Sequence, residues 1–303
     1  MKRVIGVLGA GAWGGALAEV AAAAGHDVRI WSRARPGLHP IAKADALILA
    51  VPAQAARAVL AMVKPETAVG QPIIIAAKGI EQGTGLFMHE VVADVLPEAM
   101  SMVLSGPSFA ADVRKGMPTA VVLAAENIGD ARLWAGALSL PAFRIYASDD
   151  IKGVEIGGAL KNVLAIACGI SDGRGLGDSA RAALTTRGFA ELSRFAAKIG
   201  ARTETLMGLS GLGDLLLTCS SRQSRNYAFG HAIGAGASVE NALASASGVV
   251  EGAATVVIAH AMAQRLAIGM PIVAAVHAIV DEGASPEAEI ARLLARPLTS
   301  EFT

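Results

Sequence analysis

The sequence predicts an α/β fold in two parts: a doubly wound parallel sheet, then an all-helical half. Two observations carry that prediction. Short β-rich runs alternate with alanine-rich helical runs through the first half, and the β-like runs stop after about residue 147. A length of 303 residues fits two domains, each able to bury its own core, which we place at 1–148 and 149–303.

The first strand, Val4–Leu8, is apolar and runs into a glycine-rich turn. Further strands are expected at 28–31, 46–51, 72–76, 102–104 and 119–123, each a short run rich in Val, Ile, Leu or Ala. Between them, 13–24, 53–63 and 86–95 have the length and composition of helices. Ser148, Asp149 and Asp150 supply capping side chains for a helix starting near 151. The second half then reads as helices at 151–170, 178–199, 224–235, 249–265, 271–283 and 286–295.

Composition narrows the function. Lysine plus arginine and aspartate plus glutamate both total 26, so the net charge is zero and no field points to nucleic acid or an anionic membrane. The apolar stretch 4–18 contains five glycines, and 266–280 is broken by Gly269, Pro271 and His277, so neither predicts membrane insertion. The two cysteines, Cys168 and Cys219, offer neither a disulfide framework nor zinc spacing. A reducing, cytoplasmic setting without a bound metal is the expectation.

Gly9, Gly11 and Gly14 form a GxGxxG that follows a strand and opens a helix, the context of a Rossmann-type dinucleotide site. The first glycine permits the turn, the second lets backbone approach a pyrophosphate, and the third lets helix pack on strand. The amides of Ala12 and Trp13 then open the helix toward the anion. At the tip of the second strand, Trp31-Ser32-Arg33-Ala34-Arg35 contains no acid to bond a ribose 2′-hydroxyl. Ser32 and Arg33 either meet a 2′-phosphate, giving a preference for NADP(H) over NAD(H), or belong to a solvated surface carrying Arg33 and Arg35.

Other loops lie where open α/β sheets bind ligands. Lys78 directly follows an apolar strand, which brings its ammonium out at the crevice unless it snorkels to the surface. The next strand leads into Ser105-Gly106-Pro107-Ser108-Phe109, a small-residue turn able to face a polar ligand. In the helical half, Lys161 and Asn162 interrupt an apolar helix with no other charge between Glu155 and Asp172. Burying an ammonium lowers its pKa toward the range useful for proton transfer, which makes Lys161 a general acid/base candidate; the alternative is a lysine on a partly exposed helix. Asp214, between glycines and an apolar run, either orients such a lysine or caps the following helix. Arg225 and Asn226 offer the donors that recognise phosphate, or form an ordinary Arg-Asn pair on an exposed helix.

Taken together, GAGAWGGALA at 9–18, AAKGIE at 76–81, SGPSFAADVRKGMPTA at 105–120, GGALKNVLAIACGISDG at 157–173, LTTRGFAELSR at 184–194, LSGLGDLLLTCSSRQSRN at 209–226 and VVEG at 249–252 resemble the bacterial NAD(P)-dependent glycerol-3-phosphate dehydrogenase family. The resemblance implies hydride transfer between NAD(P)H and C2 of dihydroxyacetone phosphate, supplying glycerol 3-phosphate for phospholipid synthesis. It implies Lys161 as the proton donor or acceptor, supported by Asp214, with Asn162 and Thr218 nearby and Lys78 touching substrate and cofactor. It also implies that Gly106 and Ser108 line the substrate site and that Ala110 meets the cofactor. Ser224, Arg225 and Asn226 would hold the substrate phosphate, with Arg225 and Glu251 reaching the nucleotide. A homodimer through the helical half is a further implication.

The chain departs from the family where only residues 33–45 connect the second and third strands, in place of a longer segment with its own helix. A more exposed adenine follows. Two other readings remain open: a related reductase acting on a 2-hydroxy acid or a ketopantoate-like compound, and a catalytically silent nucleotide sensor. The joint presence of Lys78, Lys161, Asp214 and Arg225 argues against the sensor, which needs only the glycine turn.

Overall fold

The computed structural model describes residues 1–34 and 39–298. Seven strands form one sheet: β1 (Val4–Leu8), β2 (Asp27–Trp31), β3 (Ala46–Leu49), β4 (Pro72–Ile75), β5 (Met100–Ser105), β6 (Thr119–Ala125) and β7 (Phe143–Ser148), in the spatial order β2-β1-β3-β4-β5-β6-β7. The helices among them are α1 (Ala12–Ala23), α2 (His39–Ala42), α3 (Ala53–Val63), α4 (Met88–Val95), α5 (Ala110–Arg114) and α6 (Ile128–Leu138).

Alternation along the strands fills both faces. Leu47, Leu49, Ile73 and Ile75 pack with α3 and α4, while Ala46, Ile48 and Ile74 pack with α1 and α6. Ile73, Ile74 and Ile75 are wholly buried, each contributing about 1.5–3 kcal/mol relative to exposure. The sheet is therefore doubly wound, as the sequence predicts.

It is not wholly parallel. β6 runs antiparallel to β5, with Met102 opposite Ala125, and β7 runs parallel to β6. The cause is the connection: α5 has five residues and advances about 7 Å, whereas β5 spans about 20 Å. The chain thus never returns to the starting edge of the sheet. Strand β7 was absent from the sequence-based elements, although Phe143, Ile145 and Ala147 alternate with Arg144 and Tyr146 in the manner of an edge strand.

From Ile151 onward every described element is helical: α7 (Ile151–Gly173), α8 (Gly177–Lys198), α9 (Thr203–Met207), a π-helical turn (Leu209–Gly213), α10 (Asp214–Cys219), α11 (Arg225–Gly234), α12 (Val239–Ala244), α13 (Glu251–Arg265), α14 (Pro271–Val280) and α15 (Pro286–Leu294). The short α9 and α12 were not expected from the sequence, whereas α10 is the helix that could follow Asp214. Asp150 caps α7, its carboxylate accepting the Gly153 N–H at 2.9 Å. Helix α7 is long and apolar enough to cross a membrane by length and composition, yet its apolar window is entirely buried within the protein, where α8, α10, α11 and α13 surround it. Its first turns reach the sheet core through Ile151 and Val154. That placement carries Lys161 to the mouth of the sheet.

Candidate active site

The glycine turn has the geometry its sequence suggests. Gly9 adopts φ +118°, and a Cβ there would meet the Ala50 carbonyl oxygen at 2.7 Å. A Cβ on Gly14 would fall 1.9 Å from the Gly9 carbonyl oxygen, so helix and turn touch directly. Gly11 is different, because nothing lies within 4 Å of where its Cβ would be. Gly11 also begins α1 without a side-chain cap, leaving the first-turn amides of Ala12, Trp13 and Gly14 for an external acceptor. Trp13 adds a buried indole N–H with no partner. An open backbone cradle, unpaired amides and an orphaned donor together fit the pyrophosphate of a dinucleotide.

At the tip of β2, Trp31 is buried, Ser32 half-buried and Arg33 exposed. Arg35 lies outside the described residues. The connection to β3 contains the four-residue helix α2.

The tips of β4 and β5 meet α7 and α10 at one carboxylate. Lys78 donates from Nζ to Asp214 Oδ2 at 2.7 Å and to the Gly106 carbonyl at 3.2 Å. Lys161 pairs with the other oxygen, Asp214 Oδ1. Thr218 Oγ1 donates to the Asp214 carbonyl at 2.6 Å and lies 3.4 Å from Oδ1. Lys161 is 7% exposed and Asp214 1% exposed, which decides against a surface lysine and against a simple helix cap. Lys78, with 17% of its side chain exposed, is held by Asp214 and does not snorkel.

Electrostatics follow from this sharing. Burial pushes the Lys161 ammonium down to about 7; the Asp214 charge opposes the shift and the Lys78 charge adds to it. For Asp214, burial alone would raise the carboxyl, but the two lysines outweigh it and hold the group below the usual carboxylate range. Two cations around one anion leave the cluster positive with Lys161 protonated, suited to stabilising a developing oxyanion.

Gly106, buried with φ +144°, turns the chain at the end of β5, and Ser108 Oγ donates back to its carbonyl at 3.0 Å. Ala110 opens α5, half-buried. Asn162 lies one residue beyond Lys161, and its Oδ1 accepts from Asn226 Nδ2 at 2.9 Å. Asn226 Oδ1 accepts the Gly252 N–H at 2.9 Å, so its amide joins α7, α11 and α13 and keeps one N–H for a further acceptor. The Ser224 hydroxyl accepts the Tyr227 N–H at 3.3 Å and caps α11.

Arg225 is exposed, with its Nη1 2.8 Å from where a Gly248 Cβ would lie. Its charge also reaches Glu251, whose carboxyl burial pushes up, against the Ala53 N–H and Arg225. Glu251 lies beside Gly79, which brings α13 over the β3 and β4 loops. Lys78, Lys161, Asp214 and Thr218 thus form one cluster, Asn162 joins Asn226 and Gly252 in a second chain of bonds one residue beyond Lys161, and Arg225 and Glu251 stand together.

Sequence reading missed Gly157 and Gly158. A Cβ on Gly157 would lie 2.4 Å from the Ser210 carbonyl; on Gly158 it would lie 2.7 Å from Ser105 Oγ and 3.5 Å from Lys78 Cδ. Gly158 thus lets the Lys78 stem pass α7 to reach Asp214, while Gly157 lets the turn before α10 pack against α7. A Gly-Gly pair inside an apolar helix was the available signal.

Comparison with known proteins places this architecture. The model described as NAD-dependent glycerol-3-phosphate dehydrogenase N-terminus matches residues 4–43 and 38–131, and the corresponding C-terminus model matches 150–291. The chain is 48% identical to a glycerol-3-phosphate dehydrogenase (NAD(P)+) of Parvibaculum lavamentivorans, covering 99% of this chain and 98% of that one. For the protein so named in Methylobacterium radiotolerans the identity is 52%, covering 98% of each. The crystal structure of glycerol-3-phosphate dehydrogenase from Coxiella burnetii superposes with a TM-score of 0.93 at 38% identity, over 97% of this chain and 99% of that chain.

The alignment with the Parvibaculum protein extends over 327 positions against 303 residues here, so that relative carries residues this chain lacks. The two N-terminal family matches meet at 38–43, which puts the missing segment between β2 and β3. On these matches and this architecture, the chain belongs to the NAD-dependent glycerol-3-phosphate dehydrogenase family.

Proposed function

We propose that this chain interconverts dihydroxyacetone phosphate and glycerol 3-phosphate with NAD(P)(H), supplying glycerol 3-phosphate for phospholipid synthesis. The carrying observation is the buried Lys161, sharing Asp214 with Lys78 from the loop that ends β4. Identities of 48–52% with proteins named for this activity favour it over the hydroxy-acid and ketopantoate readings.

The bound nicotinamide nucleotide supplies or accepts the hydride at C2. Gly9, Gly11, Ala12, Trp13 and Gly14 hold its pyrophosphate, Ala110, Arg225 and Glu251 line its path, and Ser32 with Arg33 gives a preference for NADP(H). During reduction, protonated Lys161 donates to the oxygen forming at C2, and the Lys78 ammonium stabilises the charge as it develops. In the reverse direction neutral Lys161 accepts that proton. Asp214 holds both lysines in place, with Thr218 on its backbone. Gly106, Ser108 and Asn162 line the reacting end, and Ser224, Arg225 and Asn226 take the phosphate, whose binding orients the carbonyl.

The domain division at 148/149, a cytoplasmic setting and a homodimer formed through the helical half belong to the same proposal. The exposed Leu176, Leu294 and Leu298 beside α14 and α15 provide an apolar surface for that dimer. Nicotinamide absorbance, followed with dihydroxyacetone phosphate and NADPH or NADH in parallel, tests the activity. Oxidation that depends on the phosphorylated ketone and is weak with dihydroxyacetone is the expected result; nucleotide binding without oxidation would count against it.

A further inference from the structure

Among the described residues, two links join the sheet to the helical half beside the lysines. Lys78 bonds Asp214 at 2.7 Å, and the Ala53 N–H is donated to Glu251. They start from the first turn of α3, just after β3, and from the loop that ends the neighbouring strand β4. Gln54, in that first turn of α3, ties the helix to the β4 loop: its Nε2 donates to the Ile80 carbonyl at 2.8 Å, and its Oε1 accepts the Gln82 N–H at 2.8 Å. A primary amide can do this because it carries a donor and an acceptor side by side, as a peptide group does. One turn further along α3, Arg57 grips Glu81 with two bonds, of 2.9 and 3.0 Å.

The tied segment is part of the protein core. Ile80 and Phe87 pair across it, and both lie in the apolar cluster of the helical half. The Lys78 chain meanwhile crosses α7 over Gly158 in close contact. With the stem confined there, the backbone just after Lys78 sets where the ammonium ends.

We propose that Gln54 is a positioning residue for the reaction: by fixing residues 80–82 to α3 it keeps the Lys78 ammonium on Asp214, next to Lys161. This rests on the dehydrogenase reading above. The groups facing Lys161 are Asp214 and Cys219 from α10 and Lys78 from the β4 loop. Of these, Lys78 is the one whose loop Gln54 holds. Letting it drift removes a cation from Lys161 and leaves Asp214 wholly to Lys161, and both changes move the Lys161 titration upward.

Gln54→Leu tests this, since it keeps the size of an exposed side chain and removes both bonds. The turnover number for dihydroxyacetone phosphate reduction is expected to fall about 10-fold, with KM for the nucleotide held within about twofold. The Lys161 titration, followed without substrates by competitive acylation with acetic anhydride and peptide mass spectrometry, is expected to rise by about one pH unit. An unchanged titration overturns the proposal, whether turnover is normal or falls together with the melting temperature. The acylation readout needs no turnover, so it remains decisive if the wild-type chain fails to reduce dihydroxyacetone phosphate, an outcome that counts against the dehydrogenase reading alone.

Discussion

Lys78 and Lys161 hold opposite oxygens of a single carboxylate, Asp214. One lysine comes from the end of a sheet strand and the other from the buried helix α7, so the cluster exists only when both halves of the protein are assembled. Because Lys161 titrates near 7, both of its protonation states are populated near neutrality. A reversible proton transfer needs both.

Removing the shared anion separates charge from shape. Asp214→Asn leaves the two lysines without a counter-charge, pushing Lys161 further down and lowering the protonated fraction. The reduction rate at pH 7 should fall about 100-fold, and stability should drop by about 3 kcal/mol, measured by denaturant unfolding. The stability loss should shrink at alkaline pH, where Lys161 is neutral; a loss independent of pH would contradict the account.

In the proposed function Arg225 acts on the phosphate and not on the reacting carbon. Arg225→Ala should raise KM for dihydroxyacetone phosphate by about 10- to 100-fold while turnover changes little. The comparison is with dihydroxyacetone: an equal loss on that substrate would remove the phosphate role.

Arg33 is exposed at the tip of β2, where a 2′-phosphate would be met. Arg33→Asp should move the ratio of kcat/KM with NADPH to that with NADH toward NADH by about 10-fold. An unchanged ratio would dissociate Arg33 from cofactor choice.

Glu191 makes a prediction about stability away from the active site. Buried on α8, it accepts the Ile272 and Val273 N–H groups at the start of α14, and burial pushes its carboxyl up to about 7 against those two bonds. The folded state therefore keeps this proton while the unfolded chain loses it near 4.5. Stability should decline by about 3 kcal/mol as pH rises from about 4.5 to 7. Glu191→Gln should abolish that component in urea unfolding across the same range, and a retained slope would assign it to another group.

Much of this was legible from local pattern. The alternating strands 46–51 and 72–76 were visible because buried parallel strands are nearly continuous apolar runs. Lys161 stood out as the single charge in a long apolar stretch, and burial is what makes such a lysine chemically useful. The direction of β6 was not visible, since it depends on how far α5 carries the chain. Nor was the role of Gln54, an ordinary residue in a helical first turn whose partners, Ile80 and Gln82, lie more than twenty positions away. The sharing of Asp214 by two lysines likewise arises from contacts that only the folded chain brings together.

The pH dependence of dihydroxyacetone phosphate reduction and glycerol 3-phosphate oxidation, measured on the wild-type chain and on Lys161→Ala, tests the central claim most directly. Reduction needs the protonated lysine and should fall as pH rises through about 7, whereas oxidation needs the neutral form and should rise through the same pH. Lys161→Ala should lower kcat by about 10²- to 10⁴-fold with nucleotide binding intact, and both inflections should disappear. Normal turnover in that variant, or the same inflections persisting without Lys161, would contradict the account.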